Sequence, residues 1–230
     1  MKQELRQKTY KTKSMMVADG VRRDIIAEVL PPGTRLVVSE VAKQYNVSLI
    51  PVREAFQVLV QEGYINAEPN TEFIVSTLSQ KDIKEIFDLR IALEELCISL
   101  ASDNITPEQV SLLQELHDDS RPLIDADDFI GYWNHNRRFH YTLFEIADNS
   151  RLNDLIHDLY RYSKRYPAFF TDHDRMEKSY AEHQLIINAL SSHNIDLARV
   201  LIRTHTIDSY KHVLEQFKAK EESQAEGNND

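Results

Sequence analysis

Apolar positions recur every three or four residues through most of the chain, so the pattern predicts a mainly α-helical protein. Over residues 14–30, Met16, Val17, Val21, Ile25, Ala27 and Val29 fall near helical spacing, and Arg22, Arg23 and Asp24 take the other side. Pro31-Pro32-Gly33 stops that helix. A short helix over 39–45, capped by Ser39, turns Val41 and Ala42 inwards. After a turn at Asn46-Val47, Ser48 caps a second helix that runs to about Glu62, with Pro51 in its first turn and Gly63 at its end. Two short strand-like runs, 64–67 and 73–75, flank a turn over 68–71. A helix, two helices joined tightly and a two-stranded ribbon together spell a winged helix-turn-helix over residues 1–78.

From Ser79 the period stays helical. Ser79 through Asp82 reads as a cap, and Thr106-Pro107-Glu108 starts the next helix. Further helices are expected near 126–147, 151–165, 176–192 and 196–218, separated by Asp148-Asn149-Ser150, the region of Pro167, and His193-Asn194. Residues 79–219 are thus an expected all-helical bundle. Residues 220–230, which lack apolar anchors, are an expected disordered tail.

Composition narrows the function. Cys97 is the single cysteine, which excludes a disulfide framework and a multi-thiolate zinc site. No apolar run approaches the roughly 18 residues of a membrane span, and the polar first residues do not read as a signal peptide, so the expectation is a cytoplasmic protein with no membrane partner. The net charge of −10 hides an asymmetry. Residues 1–60 hold 10 Lys and Arg against 6 Asp and Glu, whereas 61–230 hold 17 against 31. A basic head on an acidic body suggests that only the head meets a polyanion.

The second helix of such a pair can lie in the major groove, with its first residues near the base edges. Those residues are Ser48, Leu49, Ile50 and Arg53. Ser48 and the first backbone N–H groups suit a phosphate, and Arg53 is the long donor able to reach guanine O6 and N7. Leu49 and Ile50 either touch thymine methyls or are simply exposed.

In the body, polar residues stand where apolar ones are expected. Trp133, Asn136, His140, Leu143 and Ala147 share one stripe; Tyr180, His183, Ile187 and Leu190 share another. His205 follows Leu201 and Ile202 at core spacing, and Arg90 and Glu94 lie on the stripe of Ile83, Phe87, Cys97 and Ala101. Three histidines and an amide on inward stripes of three helices point to a metal site of the kind helix bundles build. The other reading of each histidine is a core imidazole bonded to a carbonyl. For Arg90 the two readings are a clamp on a carboxylate and an internal ion pair with Glu94 or Glu95. Histidines 117, 135, 157, 173, 193 and 212 sit in polar or terminal contexts and read as solvated.

The head resembles the DNA-binding domain of GntR-type transcriptional regulators through Pro32-Gly33-Thr34-Arg35-Leu36, Val47-Ser48 and Pro51-Val52-Arg53-Glu54-Ala55. The body resembles the FadR subfamily and its FCD effector domain through Asp88-Leu89-Arg90 with Glu94, Phe139-His140, Asp148 to Leu152, Glu182-His183, Ala189-Leu190, and Ala198 with His205. The resemblance implies a homodimeric bacterial regulator that binds palindromic double-stranded operator DNA and holds a small organic acid, often with a divalent metal. The expected DNA contacts are Arg35, Ser48, Leu49, Ile50, Arg53, Asn70 and Thr71, and the expected effector contacts are Arg90, from its buried stripe, and Asn136. The metal ligands the resemblance implies are His140, His183 and His205, with Asn136 where metal-binding members carry Asp. Two further departures are Leu49, where an arginine is usual, and Thr71-Glu72, where the wing usually carries Arg-Gly. With neutral donors only, Zn²⁺ or Ni²⁺ is favoured over Mg²⁺ or Mn²⁺. Two other readings are a metal-dependent enzyme of the helical body and a dimerisation protein with weakened DNA binding.

Overall fold

In this computed structural model, which describes residues 12–27, 29–68, 72–77, 79–163 and 172–227, the chain divides into two units, Met1–Thr77 and Leu78–Asp230. The first unit contains α1 (Lys13–Ile26), β1 (Arg35–Leu36), α2 (Val38–Gln44), α3 (Leu49–Gln61), β2 (Ile65–Glu68) and β3 (Glu72–Val75). The three strands form an antiparallel sheet in the order β1-β3-β2, with Leu36 opposite Phe73 and Ala67 also opposite Phe73. Val17 and Val21 of α1 and Val52, Phe56 and Leu59 of α3 share one core with Phe73 and Val75 of the sheet. Arg22 of α1 bonds Glu62 at the end of α3, at 2.6 Å.

This is the winged helix-turn-helix of the hydrophobic pattern, with three differences. The first helix ends at Ile26, before Val29, with the Ala27 N–H returning to Arg23 and the Leu30 N–H to Asp24; Val29 and Met16, placed on the apolar stripe, are exposed. The second helix starts at Val38 rather than being capped by Ser39, since the Val37 carbonyl already accepts from the Glu40 and Val41 N–H groups. The strand β1 is two residues long, too short to show a period.

The second unit is wholly helical among the described residues: α4 (Gln80–Asn104), α5 (Pro107–Asp118), α6 (Arg121–Asp125), α7 (Phe129–Glu145), α8 (Ser150–Ser163), α9 (His173–Ser191) and α10 (Ile195–Gly227). Its main core joins Ile98, Leu113, Phe139, Leu143, Phe144, Ile156, Ile186, Leu190 and Ile202. Ser79 and Thr106 start helices as expected, and each closes a capping box, with Asp82 and Gln109. The helix expected over 126–147 is α7, preceded by the short helix α6, which the pattern did not separate, and α10 continues to Gly227. The stretch beyond Ala219, expected to be a tail, is rich in strong helix formers and contains no Gly or Pro before Gly227. The Pro167 region, and the wing residues Asn70 and Thr71, lie outside the described residues.

Four helix ends close through one device, in which a residue at positive φ lets two successive N–H groups return to carbonyls of the last turn. After α3 it is Gly63 (φ 78°), with Gly63 N–H to Val60 and Tyr64 N–H to Leu59. After α2, α6 and α9 it is Asn46, Asp127 and His193, each at φ 51°. In the last two, the very next residue caps the following helix: Asp128 accepts from the Gly131 N–H and Asn194 from the Leu197 N–H. These corners set where α3, α7 and α10 begin. Gly131 has no Cβ where one would collide with the Asp128 carboxylate.

Arg90 and Glu94 lie on the buried face of α4 and bond each other at 2.8 Å. Arg90 also donates to the Tyr160 hydroxyl (2.9 Å) and lies 4.6 Å and 4.1 Å from the ring centroids of Phe87 and Tyr160. Glu94 accepts from Thr206 of α10 at 2.8 Å. Glu94→Ala should therefore lower the unfolding free energy by about 3–5 kcal/mol, because it strands a buried guanidinium. Urea denaturation checks this; a loss under about 1 kcal/mol would mean that water or a mobile side chain replaces the carboxylate.

Candidate functional site

Three helices each deliver one imidazole to a common point. His140 comes from α7, His183 from α9 and His205 from α10, all at most 4% exposed. Nε2 of His140 lies 3.2 Å from Nε2 of His183 and 3.1 Å from Nε2 of His205, and the three ligand nitrogens all lie within 4.8 Å of one another. Phe139 stacks on His183 with ring centroids 4.2 Å apart.

Protonation follows from the surroundings. Burial pushes His140 and His183 well below the ordinary imidazole value of 6.5, and the neighbouring His205 and Arg175 add to it. Burial also lowers His205, against the opposing pull of Glu182, whose Oε2 lies 2.6 Å from its Nδ1. Glu182 is held below the usual carboxylate range: burial raises it, and its contacts with His205 and Arg175 outweigh that. An ionised Glu182 keeps the His205 proton on Nδ1 and leaves Nε2 as a lone pair aimed at the centre. Three neutral rings facing inwards have more lone pairs than protons to satisfy them, which is the donor set a cation satisfies. Metal–imidazole bonds of about 2.0–2.1 Å put neighbouring ligand nitrogens about 3.0–3.4 Å apart, the range seen around His140. The residues therefore fit a divalent metal.

Beside the cluster is a cavity of about 20 Å³, room for roughly one water-sized occupant, lined by Asn136, His205, Arg175, Ser179, Ser209 and Tyr132 among others. Asn136 Oδ1 accepts from Ser179 at 3.4 Å. Arg175 is buried, and donates to Glu182 at 3.0 Å and Ser209 at 2.8 Å. Thus His140, His183 and His205 are brought together as the sequence pattern expected, and Asn136 shares the cavity lining with His205. Arg90 is absent from the cavity lining, and its guanidinium is engaged by Glu94 and Tyr160.

The hydrophobic pattern gives no site role to Glu182 or Arg175. A signal existed, since Arg175, Ser179 and His183 recur every four residues on α9. His117, expected to be solvated, is 3% exposed, stacks on Tyr180 at 3.8 Å and bonds the Tyr180 carbonyl. The contact comes from α9 packing on α5, which the local context of α5 does not reveal.

In the first unit, Ser48, Leu49, Ile50 and Arg53 at the start of α3 are exposed, as is Arg35 on β1. Ser48 is the N-cap residue by backbone conformation, yet its hydroxyl makes no cap bond to its own helix. The recognition helix therefore presents its first turn outwards.

A winged helix-turn-helix joined in one chain to an all-helical unit is the two-part layout of a DNA-binding transcription regulator. Residues 13–75 match the family described as bacterial regulatory proteins, gntR family, and residues 85–208 match the FCD domain. The chain belongs to the GntR family of transcriptional regulators and carries an FCD domain. It is similar to the HTH-type transcriptional regulator YdhC of Bacillus subtilis, 28% identical over 86% of this chain and 91% of that protein. It is also similar to the HTH-type transcriptional repressor RspR of Escherichia coli, 29% identical over 80% of this chain and 82% of the repressor. The solved structure of E. coli McbR/YncC shares the fold, with a TM-score of 0.70 at 22% identity, over 90% of this chain and 100% of that one.

The lowered histidines carry a pH dependence. A group whose folded value is depressed stabilises the fold above its unfolded value, and that stability is lost as the pH falls, because the unfolded chain then binds more protons. Metal-free protein should lose stability as the pH drops below about 6.5, at up to about 1.4 kcal/mol per pH unit for each histidine kept neutral. His173, exposed and raised by Asp127, works weakly in the opposite sense. Denaturant titrations from pH 8 to 5.5 read the slope, and a flat profile would show that the cluster takes up protons without cost.

Proposed function

We propose that this protein is a ligand-responsive regulator of the FadR subfamily, which binds a palindromic operator as a homodimer and senses a small carboxylate beside a divalent metal. The observation that carries the reading is the convergence of three buried Nε2 atoms next to a cavity walled by Asn136 and Arg175, inside the FCD domain of a GntR-family chain. His140, His183 and His205 would hold the metal, with the Asn136 amide oxygen as a fourth donor. The bound cation would supply a positive centre for an anion to meet. Such neutral donors favour Zn²⁺ or Ni²⁺.

Arg90 was the sequence-level candidate for the carboxylate anchor. Because Arg175 lines the cavity and Arg90 is engaged elsewhere, we assign the anchor to Arg175 and leave Arg90 a structural role. The head would contact DNA through Arg35, Ser48, Leu49, Ile50 and Arg53, with Asn70 and Thr71 of the wing expected beside them. An enzymatic reading has less support. Such a site needs a carboxylate ready to act as a base, whereas Glu182 is engaged by His205 and Arg175, and Glu94 by Arg90 and Thr206. Leu89, Leu93, Leu96 and Leu100 form a stripe on α4; Leu89 and Leu96 are about half exposed, which suits a self-complementary dimer contact in the second unit. No helix among the described residues is long and apolar enough to cross a membrane.

Chelator-stripped protein titrated with Zn²⁺, Ni²⁺ and Mg²⁺ tests the site. Zn²⁺ and Ni²⁺ should saturate and raise Tm, Mg²⁺ should not, and Asn136→Asp should bind Zn²⁺ more tightly. Absence of saturable binding in either protein ends the metal reading. For the head, Arg53→Ala should cost about 1–3 kcal/mol on DNA from upstream of the protein's own gene, with binding that weakens steeply as salt rises. Unchanged affinity would remove Arg53 from the base-reading face.

A further inference from the structure

The most exposed large apolar side chains of α3 are at its tip. Ile50 is 69% exposed and Leu49 48%, while Val52, Ala55, Phe56 and Leu59 of the same helix are fully buried. At about 100° per residue, Ile50 lies roughly opposite that buried stripe, and Leu49 flanks it. Arg53 follows Leu49 by four residues and Ile50 by three, so it stands one turn further along above both. This tip belongs to the basic end of the chain and starts the second helix of the helix-turn-helix, where base edges are met. An isoleucine and a leucine here cannot bond a phosphate. The apolar feature that the major groove offers a side chain is the C5-methyl group of thymine.

We propose that Leu49 and Ile50 form an apolar reading tip that selects thymine methyls, next to a guanine read by Arg53. The half-site then contains one or two A·T pairs, thymine methyl towards the tip, adjoining a G·C pair. The tip distinguishes thymine from uracil, two bases with identical hydrogen-bonding edges, which a polar tip does not do. The Ser48 hydroxyl, unused by its own helix, and the N–H groups of the first turn remain for the flanking phosphate. The proposal rests on the DNA-binding reading of the head and deepens it by naming the base chemistry.

The test uses the full-length protein and random-sequence duplex DNA. Selected sites are resynthesised with each thymine replaced in turn by deoxyuridine, which removes one methyl and keeps every hydrogen bond. At one or two positions per half-site, affinity should fall roughly three- to tenfold, about the effect of one lost buried methyl group. The double variant Leu49→Ser, Ile50→Ser should bind thymine and uracil versions equally, whereas Arg53→Ala should still tell them apart. Enriched sites with no thymine whose replacement weakens binding twofold or more would overturn the methyl reading and leave DNA binding standing. Failure to bind any duplex would overturn both. If the serine variant changes the protein's mass in solution and uracil substitution has no effect, the tip is a protein contact and the proposal fails.

Discussion

Three imidazole nitrogens held near hydrogen-bonding distance in a dry interior are the demand around which the helical unit is organised. Burial favours neutral rings, and neutral rings facing one another leave lone pairs that protons alone cannot satisfy. The surroundings answer part of this demand. Glu182 fixes the His205 proton on the outer nitrogen, Arg175 holds Glu182 in place, and Ser209 holds Arg175. His140 is the exception. Its Nδ1 is buried with no hydrogen-bond partner among the described residues. A ring that gives its Nε2 to a common centre keeps its proton on Nδ1, so this atom is where the cluster is least supported.

The geometry depends on corners as much as on helix faces. Asp127 and Asp128 end α6 and cap α7; His193 and Asn194 end α9 and cap α10. In both places three residues join one helix to the next, which leaves little freedom in where the next helix begins. His140 lies three turns into α7 and His205 three turns into α10, so an error at either corner would be carried along the axis to the cluster. The His193 ring further approaches the Ser102 carbonyl of α4 at 3.3 Å, a contact that holds this corner against the neighbouring helix. The same closure, with Asn46 at positive φ, precedes the exposed tip of α3. One local motif thus helps to place both the exposed first turn of α3 and the histidine cluster, although the two lie in separate units.

Much of this is legible in the sequence, for identifiable reasons. Helices α3, α4, α9 and α10 announce themselves by apolar period and caps, and the inward polar positions His140, His183, His205, Arg90 and Glu94 follow from the same period. What is missed depends on contacts between elements. Glu182 neighbours His183 in the chain, but its importance lies in reaching His205 on another helix. His117 reads as polar surface until α9 is placed over it. The short helix α6, which precedes the helix expected over 126–147, is hidden because five residues are too few to show a period, and the corner after it depends on backbone conformation, to which hydrophobic periodicity is blind.

Asn136 brings these strands together. On the proposed reading, three imidazoles and an amide leave the charge of a bound dication uncompensated, where an aspartate would remove about one unit. The nearest anion, Glu182, is shared by His205 and Arg175, so it neutralises a cation that is present anyway. A carboxylate entering the cavity would meet two positive centres, Arg175 and the metal, in a space that now admits little more than one water. It cannot fit there without moving a wall, and Arg175 would have to loosen its hold on Glu182 to grip it. Glu182 would then become a stronger acceptor for His205 and make that ring a better donor to the metal. Metal and carboxylate would each favour the other's binding, by the same factor in both directions. The substitution at Asn136 would then not disable the site but make its charge balance depend on the effector.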